Sequence, residues 1–187
     1  MFKHEIQVIK FLLQWYSVNA RVLPWRKLNN LNLPYPYFVF VSEYMLQQTT
    51  VNTVKNKFND FILKWPTVNN LAQISEPNIL KFWSGLGYYS RARNLLKSAK
   101  IINKNFKNKI PQTYDELIKL PGIGDYTAKA ILGIGFNKSV MPLDANIERI
   151  LVRLHAIDKP INKVKNKLRD LGNKFISDKY SSNLIQS

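Results

Sequence analysis

Hydrophobic residues along this chain recur at intervals of three and four, which is the spacing of one face of an α-helix. Helices are predicted over Glu5 to Ser17, Asn70 to Gln73, Glu76 to Trp83, Ser90 to Asn105, Ala145 to His155 and Lys163 to Tyr180. The last few residues are expected to fray. No stretch sustains the two-residue alternation of a half-buried strand, so the pattern predicts an all-α fold.

The first half of the chain also contains breaks in this pattern. Prolines and an asparagine-rich middle predict a loop over Arg21 to Tyr37. Ser42 is expected to cap a helix that runs to about Phe58, which would place Glu43 in its first turn. Apolar positions expected in the core include Ile6, Ile9, Leu12, Leu13 and Tyr16 on the first helix and the four tryptophans Trp15, Trp25, Trp65 and Trp83.

Near residue 120, two predicted helices are joined by a short glycine turn. Thr113 and Glu116 have the spacing of a capping box, which begins the first helix. Pro121 ends that helix, because a proline disfavours α geometry in the residue before it. The second helix is predicted to begin at Asp125 or Tyr126.

This helix-hairpin-helix unit covers about residues 113–135. Gly122 and Gly124 are expected to adopt backbone angles that side chains disfavour. They would leave backbone N–H groups bare at a helix N-terminus, where an anion can bind. An ordinary turn between helices is the alternative reading of so short a motif.

Composition narrows the identity of that anion. The 187 residues carry 28 Lys and Arg against 12 Asp and Glu, a net charge of +16. This excess favours a nucleic acid, with an anionic membrane surface as the second choice, although drift toward lysine in an AT-rich genome could supply part of it. The sequence has no cysteine, which excludes disulfides and thiolate metal sites. No apolar run reaches about 18 residues and no signal peptide is evident, so a cytoplasmic protein is expected.

Two carboxyl groups could carry chemistry. Glu43 and Asp144 each lie at a predicted helix start, where an acidic side chain commonly serves only the helix dipole or the N-cap. Beside a phosphate-binding hairpin, they could instead divide the work of glycosidic bond cleavage. One would be a general acid with a raised pKa, and the other an ionised group that stabilises a positive sugar-like transition state. In DNA this requires the target base to leave the stack.

A run of basic residues precedes the hairpin and contains no acid: Arg91, Arg93, Lys97, Lys100, Lys104, Lys107 and Lys109. It could contact phosphates or be a solvated helix face. His4 and His155 are isolated and are assigned no role.

Four stretches resemble the mismatch-specific adenine DNA glycosylases of the helix-hairpin-helix superfamily. They are Leu23-Pro24-Trp25-Arg26, Ser42-Glu43-x-Met45-Leu46-Gln47-Gln48-Thr49, Gly85-Leu86-Gly87-Tyr88-Tyr89-x-Arg91-x-Arg93-Asn94, and Leu120-Pro121-Gly122-Ile123-Gly124 followed by Leu143-Asp144-x-Asn146. Their order and spacing match along nearly the whole chain. The resemblance implies removal of adenine mispaired with 8-oxoguanine or guanine in double-stranded DNA by a monomeric, monofunctional enzyme.

The resemblance also implies roles for single residues. Glu43 would protonate the adenine ring, and Asp144 would stabilise the oxocarbenium ion, with a covalent sugar intermediate as an alternative. Asn146 and Tyr126 would position and polarise these groups. Trp25, Arg26 and Leu46 would line the base pocket, and Gln48 and Tyr88 would probe the duplex. Gln47, like these two probes, could be a wedge or a stacking group, with ordinary helix surface and core packing as the alternatives. The candidate DNA contacts are Gly122, Ile123, Gly124, Thr127, Arg91 and Arg93.

Two other functions stay open. Glycosylase-lyases of the endonuclease III type share the hairpin and the aspartate but carry a Schiff-base lysine where this chain has Tyr126. Lys129 lies one helical turn further on and should point elsewhere. The second alternative is a DNA-binding protein without catalytic activity.

The resemblance has limits. The family normally continues with a four-cysteine loop that binds a 4Fe–4S cluster, and then with a domain that reads 8-oxoguanine. This sequence ends at Ser187 and has no cysteine, so no cofactor is expected, and the preference for 8-oxoguanine over guanine should narrow. Two lobes are predicted, a central one over residues 28–141 and an incomplete one that combines 1–27 with 142–187, with DNA in the cleft between them.

Overall fold

A computed structural model describes residues 3–176 and 179–187, with side chains from residue 5 onward, and every regular element in these ranges is helical. His4 lies outside the described side chains, and two residues of the predicted C-terminal helix lie outside the described ranges. The helices are α1 (Lys3–Asn19), α2 (Pro36–Leu46), α3 (Val51–Lys64), α4 (Val68–Ala72), α5 (Glu76–Trp83), α6 (Ser90–Asn105), α7 (Tyr114–Leu117), α8 (Asp125–Ala130), α9 (Ala145–Leu154), α10 (Ile161–Asn173) and α11 (Ser181–Gln186).

The helix predicted from Ser42 to Phe58 is two helices. α2 begins at Pro36, whose fixed φ suits the first helical position, so the predicted loop over Arg21 to Tyr37 ends early and contains a 3₁₀ turn at Pro24–Arg26. Ser42 is therefore inside α2, where its hydroxyl donates to the Val39 carbonyl at 2.9 Å, and it is not an N-cap. The short loop between α2 and α3 ends at Thr50, whose side chain caps α3.

Two hydrophobic cores organise the described residues. The larger one is formed by the helices from α2 through α8 and contains side chains such as Phe40, Phe58 and Trp83. The smaller one is formed by α1, α9, α10 and α11 and contains Ile9 and Leu168. The predicted division into lobes stays a prediction, but Leu23 and Trp25, which it assigns to the second lobe, pack into the larger core.

Two core predictions on α1 are wrong. Trp15 is 46% exposed and Ile6 is 39% exposed, whereas Ile9 is buried. Apolar residues lie around more of this helix than one face can bury, so the helical spacing alone did not identify the buried side. None of the helices in the described ranges is long and apolar enough to cross a bilayer.

The C-terminal residues form α11, which packs on the chain and does not fray. α8 continues into a π-helical turn over Ile131–Gly135, and the Ser182 hydroxyl donates to the Ile134 carbonyl of this turn at 2.7 Å. Gly133 has no side chain, which leaves room for Ile185 of α11 to pack against it. The hairpin helix and the end of the chain are thereby held together.

Candidate active site

Glu43 lies in the last turn of α2, not in the first turn of a helix as predicted. Its side chain is only 8% exposed. Burial, and secondarily the charge of Asp144, raise the pKa of the Glu43 carboxyl from 4.5 to about 7. A carboxyl group with this pKa is partly protonated at neutral pH, which a general acid requires.

Asp144 is the N-cap of α9, as predicted. One carboxylate oxygen accepts hydrogen bonds from the backbone N–H groups of Asn146, at 3.0 Å, and Ile147, at 2.8 Å. The other accepts from the side-chain amide of Asn146 at 3.2 Å. These bonds fix the orientation of the carboxylate, and the oxygen of the Asn146 amide is itself held by Arg149 at 3.1 Å.

Tyr126 stands in the first turn of α8 and is close enough to both carboxyl groups to be affected by their charges. The charges of Glu43 and, to a smaller extent, Asp144 raise the pKa of the Tyr126 hydroxyl, and burial acts in the same direction. Three side chains from three different helices are thus brought together, although they are up to about a hundred residues apart in the sequence.

The hairpin is attached to α2. The Tyr44 hydroxyl, next to Glu43 in sequence, donates to the Pro121 carbonyl at 2.5 Å, and Ser98 contacts the same carbonyl at 3.1 Å. The Gln47 side-chain amide donates to the Gly122 carbonyl at 3.3 Å. Tyr44 was not predicted as a site residue, since a buried tyrosine in a sequence carries no signal of its hydrogen-bond partner.

Only one of the two hairpin glycines has the predicted backbone. Gly122 has φ +79°, and an added Cβ would lie 2.9 Å from the side chain of Asn94. Gly124 is instead extended, with φ −98°, and a Cβ there would meet nothing within 4 Å. The prediction that Gly124 adopts backbone angles that side chains disfavour is therefore wrong.

The backbone N–H groups in the first turn of α8 remain available for an anion. The first N–H of α8 that bonds back along the helix is that of Ala128, to Gly124 at 2.9 Å. Thr127 and Ile123 are 5% and 6% exposed, so their side chains are directed inward. The Ile123 N–H donates to the Leu120 carbonyl at 3.1 Å and is not free for a phosphate, and the predicted phosphate contact of Thr127 stays a prediction.

The structure contradicts the prediction that Arg91 contacts phosphate. Its side chain is buried and donates to the carbonyls of Met45, in the last turn of α2, and Leu86, in the loop before α6. Arg93 is about half exposed and forms an ion pair with Glu76 at 2.8 Å, so its predicted phosphate contact stays a prediction. Along α6 the exposed basic side chains are those of Arg93, Lys97, Lys100 and Lys104.

The residues predicted for the base pocket lie in different surroundings. Leu46 is one helical turn after Glu43 on α2, and therefore lies on the same side of that helix. Trp25 is buried with its ring edge-on to Phe58. The Arg26 guanidinium lies over the Tyr16 ring at 5.5 Å and donates to the Gln186 carbonyl at 3.3 Å, which directs it toward α1 and α11. Their role in binding a base stays a prediction.

A cavity of about 1100 Å³ lies elsewhere, between α1, α3 and the segment before α2. Arg26 lines it, but Glu43 and Asp144 do not. It is therefore separate from the site formed by the coupled carboxyl groups.

Lys129 points away from that site, as expected. Its ammonium group pairs with Asp125 at 2.9 Å and lies 5.9 Å from the centre of the Tyr114 ring. Among the described residues, no group of three or more acidic or histidine side chains could hold a metal ion. The 4Fe–4S cluster that the resemblance implies needs thiolate ligands, and the residues of this sequence do not fit it because none is cysteine.

Comparisons with known proteins agree with the resemblance. The sequence pattern described as "HhH-GPD superfamily base excision DNA repair protein" matches residues 41–174. Proteins named adenine DNA glycosylase are similar: one from Buchnera aphidicola (strain Bp) is 45% identical over 148 residues, 79% of this chain and 41% of the relative. The one from Homo sapiens is 40% identical over 164 residues, 84% of this chain and 30% of the relative. The chain thus spans less than half the length of these relatives.

Solved structures match the fold. A thermostable thymine-DNA glycosylase superposes with a TM-score of 0.83 at 22% identity, covering 98% of this chain and 84% of that one. Endonuclease III in a non-covalent DNA complex superposes with a TM-score of 0.73 at 20% identity, covering 100% of this chain and 83% of that one. At these identities the likeness concerns the fold alone.

Proposed function

Because the chain belongs to the HhH-GPD superfamily of base excision DNA repair proteins, we propose that it hydrolyses the N-glycosidic bond of adenine in double-stranded DNA. The adenine would be mispaired with 8-oxoguanine or guanine. Identities of 40–45% to proteins named adenine DNA glycosylase support this choice of base. The observation that carries the proposal is the buried Glu43, whose pKa is raised to about 7 beside Asp144.

In this proposal Glu43 acts as the general acid. A protonated Glu43 donates its proton to a ring nitrogen of the flipped adenine, so that the electron pair of the breaking C1′–N bond leaves with a neutral base. The deoxyribose becomes an oxocarbenium-like cation. Tyr126, whose hydroxyl pKa is raised by the charges of both carboxyl groups, would position Glu43 and Asp144.

Asp144 would stabilise the sugar cation. Its carboxylate is oriented by α9 and Asn146, so it needs no rearrangement as positive charge develops at C1′. Water then adds to C1′ and releases a proton, which leaves an abasic site and free adenine.

DNA binding would use the hairpin and the loops beside it. Backbone N–H groups at the start of α8 would contact a phosphate, and the net charge of +16 would attract the duplex. The exposed side chains of Gln48 and Tyr88 would probe the strand beside the extruded adenine.

A lyase reaction is disfavoured by the ion pair of Lys129, the lysine one helical turn beyond Tyr126. A Schiff base needs a free lysine at the sugar, and Lys129 is paired with Asp125. The decisive assay incubates the purified chain with a labelled A:8-oxoguanine or A:guanine duplex. The proposal expects strand breaks only after alkali. Nicking without alkali would indicate a lyase, and DNA binding without abasic sites would indicate a protein without catalytic activity.

A further inference from the structure

Arg91, in the first turn of α6, is a buried cation that joins two loops. One is the Gln48 loop, residues 47–50 between α2 and α3, and the other is the Tyr88 loop, residues 84–89 between α5 and α6. The Arg91 side chain is 5% exposed, and Tyr88 is 61% exposed. The charge of Arg91 is therefore inside the protein, while Tyr88 beside it is exposed to solvent.

Both terminal nitrogens of the guanidinium are used. Nη1 donates to the carbonyls of Tyr44 at 3.3 Å and Met45 at 2.8 Å, and to that of Gln47. Nη2 donates to the Thr49 hydroxyl at 2.9 Å and to the carbonyls of Leu86 at 2.8 Å and Gly87 at 3.0 Å. The carbonyls at the end of α2 have no further helical donor, so one side chain satisfies them and crosses to the Tyr88 loop.

Each loop contains a residue with an unfavourable backbone. Gln48 has φ +55° and Tyr88 has φ +47°, values that residues other than glycine rarely adopt. Gln48 is flanked by two acceptors of Arg91, the Gln47 carbonyl and the Thr49 hydroxyl, and Tyr88 follows a third, the Gly87 carbonyl. Such strain persists only where the surroundings fix it, and it is concentrated at functional sites.

We propose that Arg91 is a positioning residue that holds Gln48 and Tyr88 in these strained conformations, so that the two loops enter the duplex as one unit and keep the target base unstacked. The inference rests on the proposed function, because it assumes that these side chains face DNA. It assigns Arg91 to extrusion of the base, whereas Glu43 and Asp144 act on the extruded base.

The geometry requires arginine in particular. A lysine has three donors on one atom and cannot serve acceptors on two loops with a planar fork. The Arg91 guanidinium carbon also lies 5.6 Å from the ring centres of both Trp83 and Tyr88, within the range of a cation–π contact. The Tyr88 ring is thus oriented by the same group that fixes its backbone.

The test places 2-aminopurine, whose fluorescence rises when it unstacks, at the target position of a duplex. Wild-type protein should raise the fluorescence, and Arg91→Lys should give at most about a tenth of that rise at saturating protein. Thr49→Val removes one acceptor of Arg91, together with the bond from the Thr49 hydroxyl to the Leu86 carbonyl, with little change of shape. It should give an intermediate signal if Arg91→Lys does not fold. Arg153→Lys, an exposed arginine in α9, is the matched control and should behave as wild type.

Excision rates separate extrusion from chemistry. Arg91→Lys should excise adenine about tenfold or more slowly from the paired duplex, but within about threefold of wild type from a duplex in which the adenine is bulged. Its dependence of rate on pH should match that of wild type, because Glu43 is unchanged. Equal losses on both substrates, or a fluorescence rise equal to that of wild type, would overturn the inference. If wild type excises adenine from neither substrate, the proposed function fails, and the fluorescence comparison still decides the role of Arg91.

Discussion

The two hydrophobic cores each contribute one carboxyl group to the candidate site, and they control these groups differently. Glu43 lies on α2, which packs into the larger core, and its pKa is set mainly by burial. Asp144 begins a helix of the smaller core and is held by hydrogen bonds from its own first turn. The acid strength of Glu43 is thus a tertiary property, and the orientation of Asp144 is a local one. Substitutions at the two positions should therefore fail in different ways.

The largest expected effect is on the acid. Glu43→Gln keeps the shape of the side chain but removes the proton, so single-turnover excision should fall by about 10²-fold or more while duplex affinity is retained. Wild-type activity should decline as pH rises through about 7, because Glu43 loses its proton there. Strand breaks after alkali treatment of the DNA, followed on gels over a pH series, measure the excision rate of the variant and the pH dependence of wild type. Excision by Glu43→Gln within a few-fold of wild type would rule out Glu43 as the acid.

Asp144 offers the complementary test. Asp144→Asn should lower the chemical step by at least about tenfold with little change in binding or thermal stability, because asparagine caps a helix about as well as aspartate. Asp144→Ala should lose the same activity and also about 1 kcal/mol of stability, since it removes the cap. If Asp144→Asn lost stability in proportion to activity, the carboxylate would be only a cap.

Burial of Glu43 should also make stability depend on pH. The folded pKa of about 7 lies above the ordinary value of 4.5, so between these pH values the unfolded chain binds fewer protons than the folded one. The free energy of unfolding should therefore decrease as pH rises from about 4.5 to 7. Glu43→Gln removes this penalty and should be more stable than wild type at pH 8 by up to about 3 kcal/mol, with a smaller difference at pH 5. Urea unfolding at both pH values would show it, and equal stabilities at pH 8 would contradict it.

The two hairpin glycines, both exposed, give a matched pair of substitutions. Gly122→Ala should lower the free energy of unfolding by about 1–3 kcal/mol, because φ +79° is strained for alanine and its Cβ would crowd Asn94. Gly124→Ala should unfold like wild type but bind duplex more weakly if a phosphate approaches its Cα. Thermal melts and binding titrations of both variants separate the two roles. Loss of stability in Gly124→Ala would show that this glycine is structural.

The sequence predicted what depends on neighbours along the chain. The hairpin helices and the N-caps at Thr113 and Asp144 depend on interactions within three or four residues, and the structure has them. Of the predicted capping box, the Thr113 cap on the Glu116 N–H is present. The helix of Glu43 was misplaced because Ser42 resembles an N-cap locally, whereas Pro36 and the turn at Gln48 determine where α2 begins and ends.

Arg91 shows what sequence reasoning could not reach. In a basic run it resembles the residues beside it, and its acceptors on α2 and the Gln48 loop are more than 40 positions away. Only burial distinguishes it from Arg93 and Lys97, which are exposed on the same helix. Charge composition therefore indicated a polyanion-binding protein but not which cations are free to bind one.

The smallest effect should come from substitutions on the exposed basic face of α6. They test whether the helices of the larger or of the smaller core make the electrostatic contact with DNA. Lys97 lies on α6 of the larger core, and Lys159 lies between α9 and α10 of the smaller one; both are exposed. If Lys97 contacts a phosphate, Lys97→Glu should weaken duplex binding and lower the slope of log K against log salt by about 0.9. The same charge reversal in Lys159→Glu should leave that slope unchanged. Titrations of both variants in the Glu43→Gln background, which prevents turnover, measure the slopes on intact DNA. Equal slopes for wild type and both variants would indicate that the basic residues of α6 are a solvated helix face, and that the hairpin amides carry the contact with the backbone.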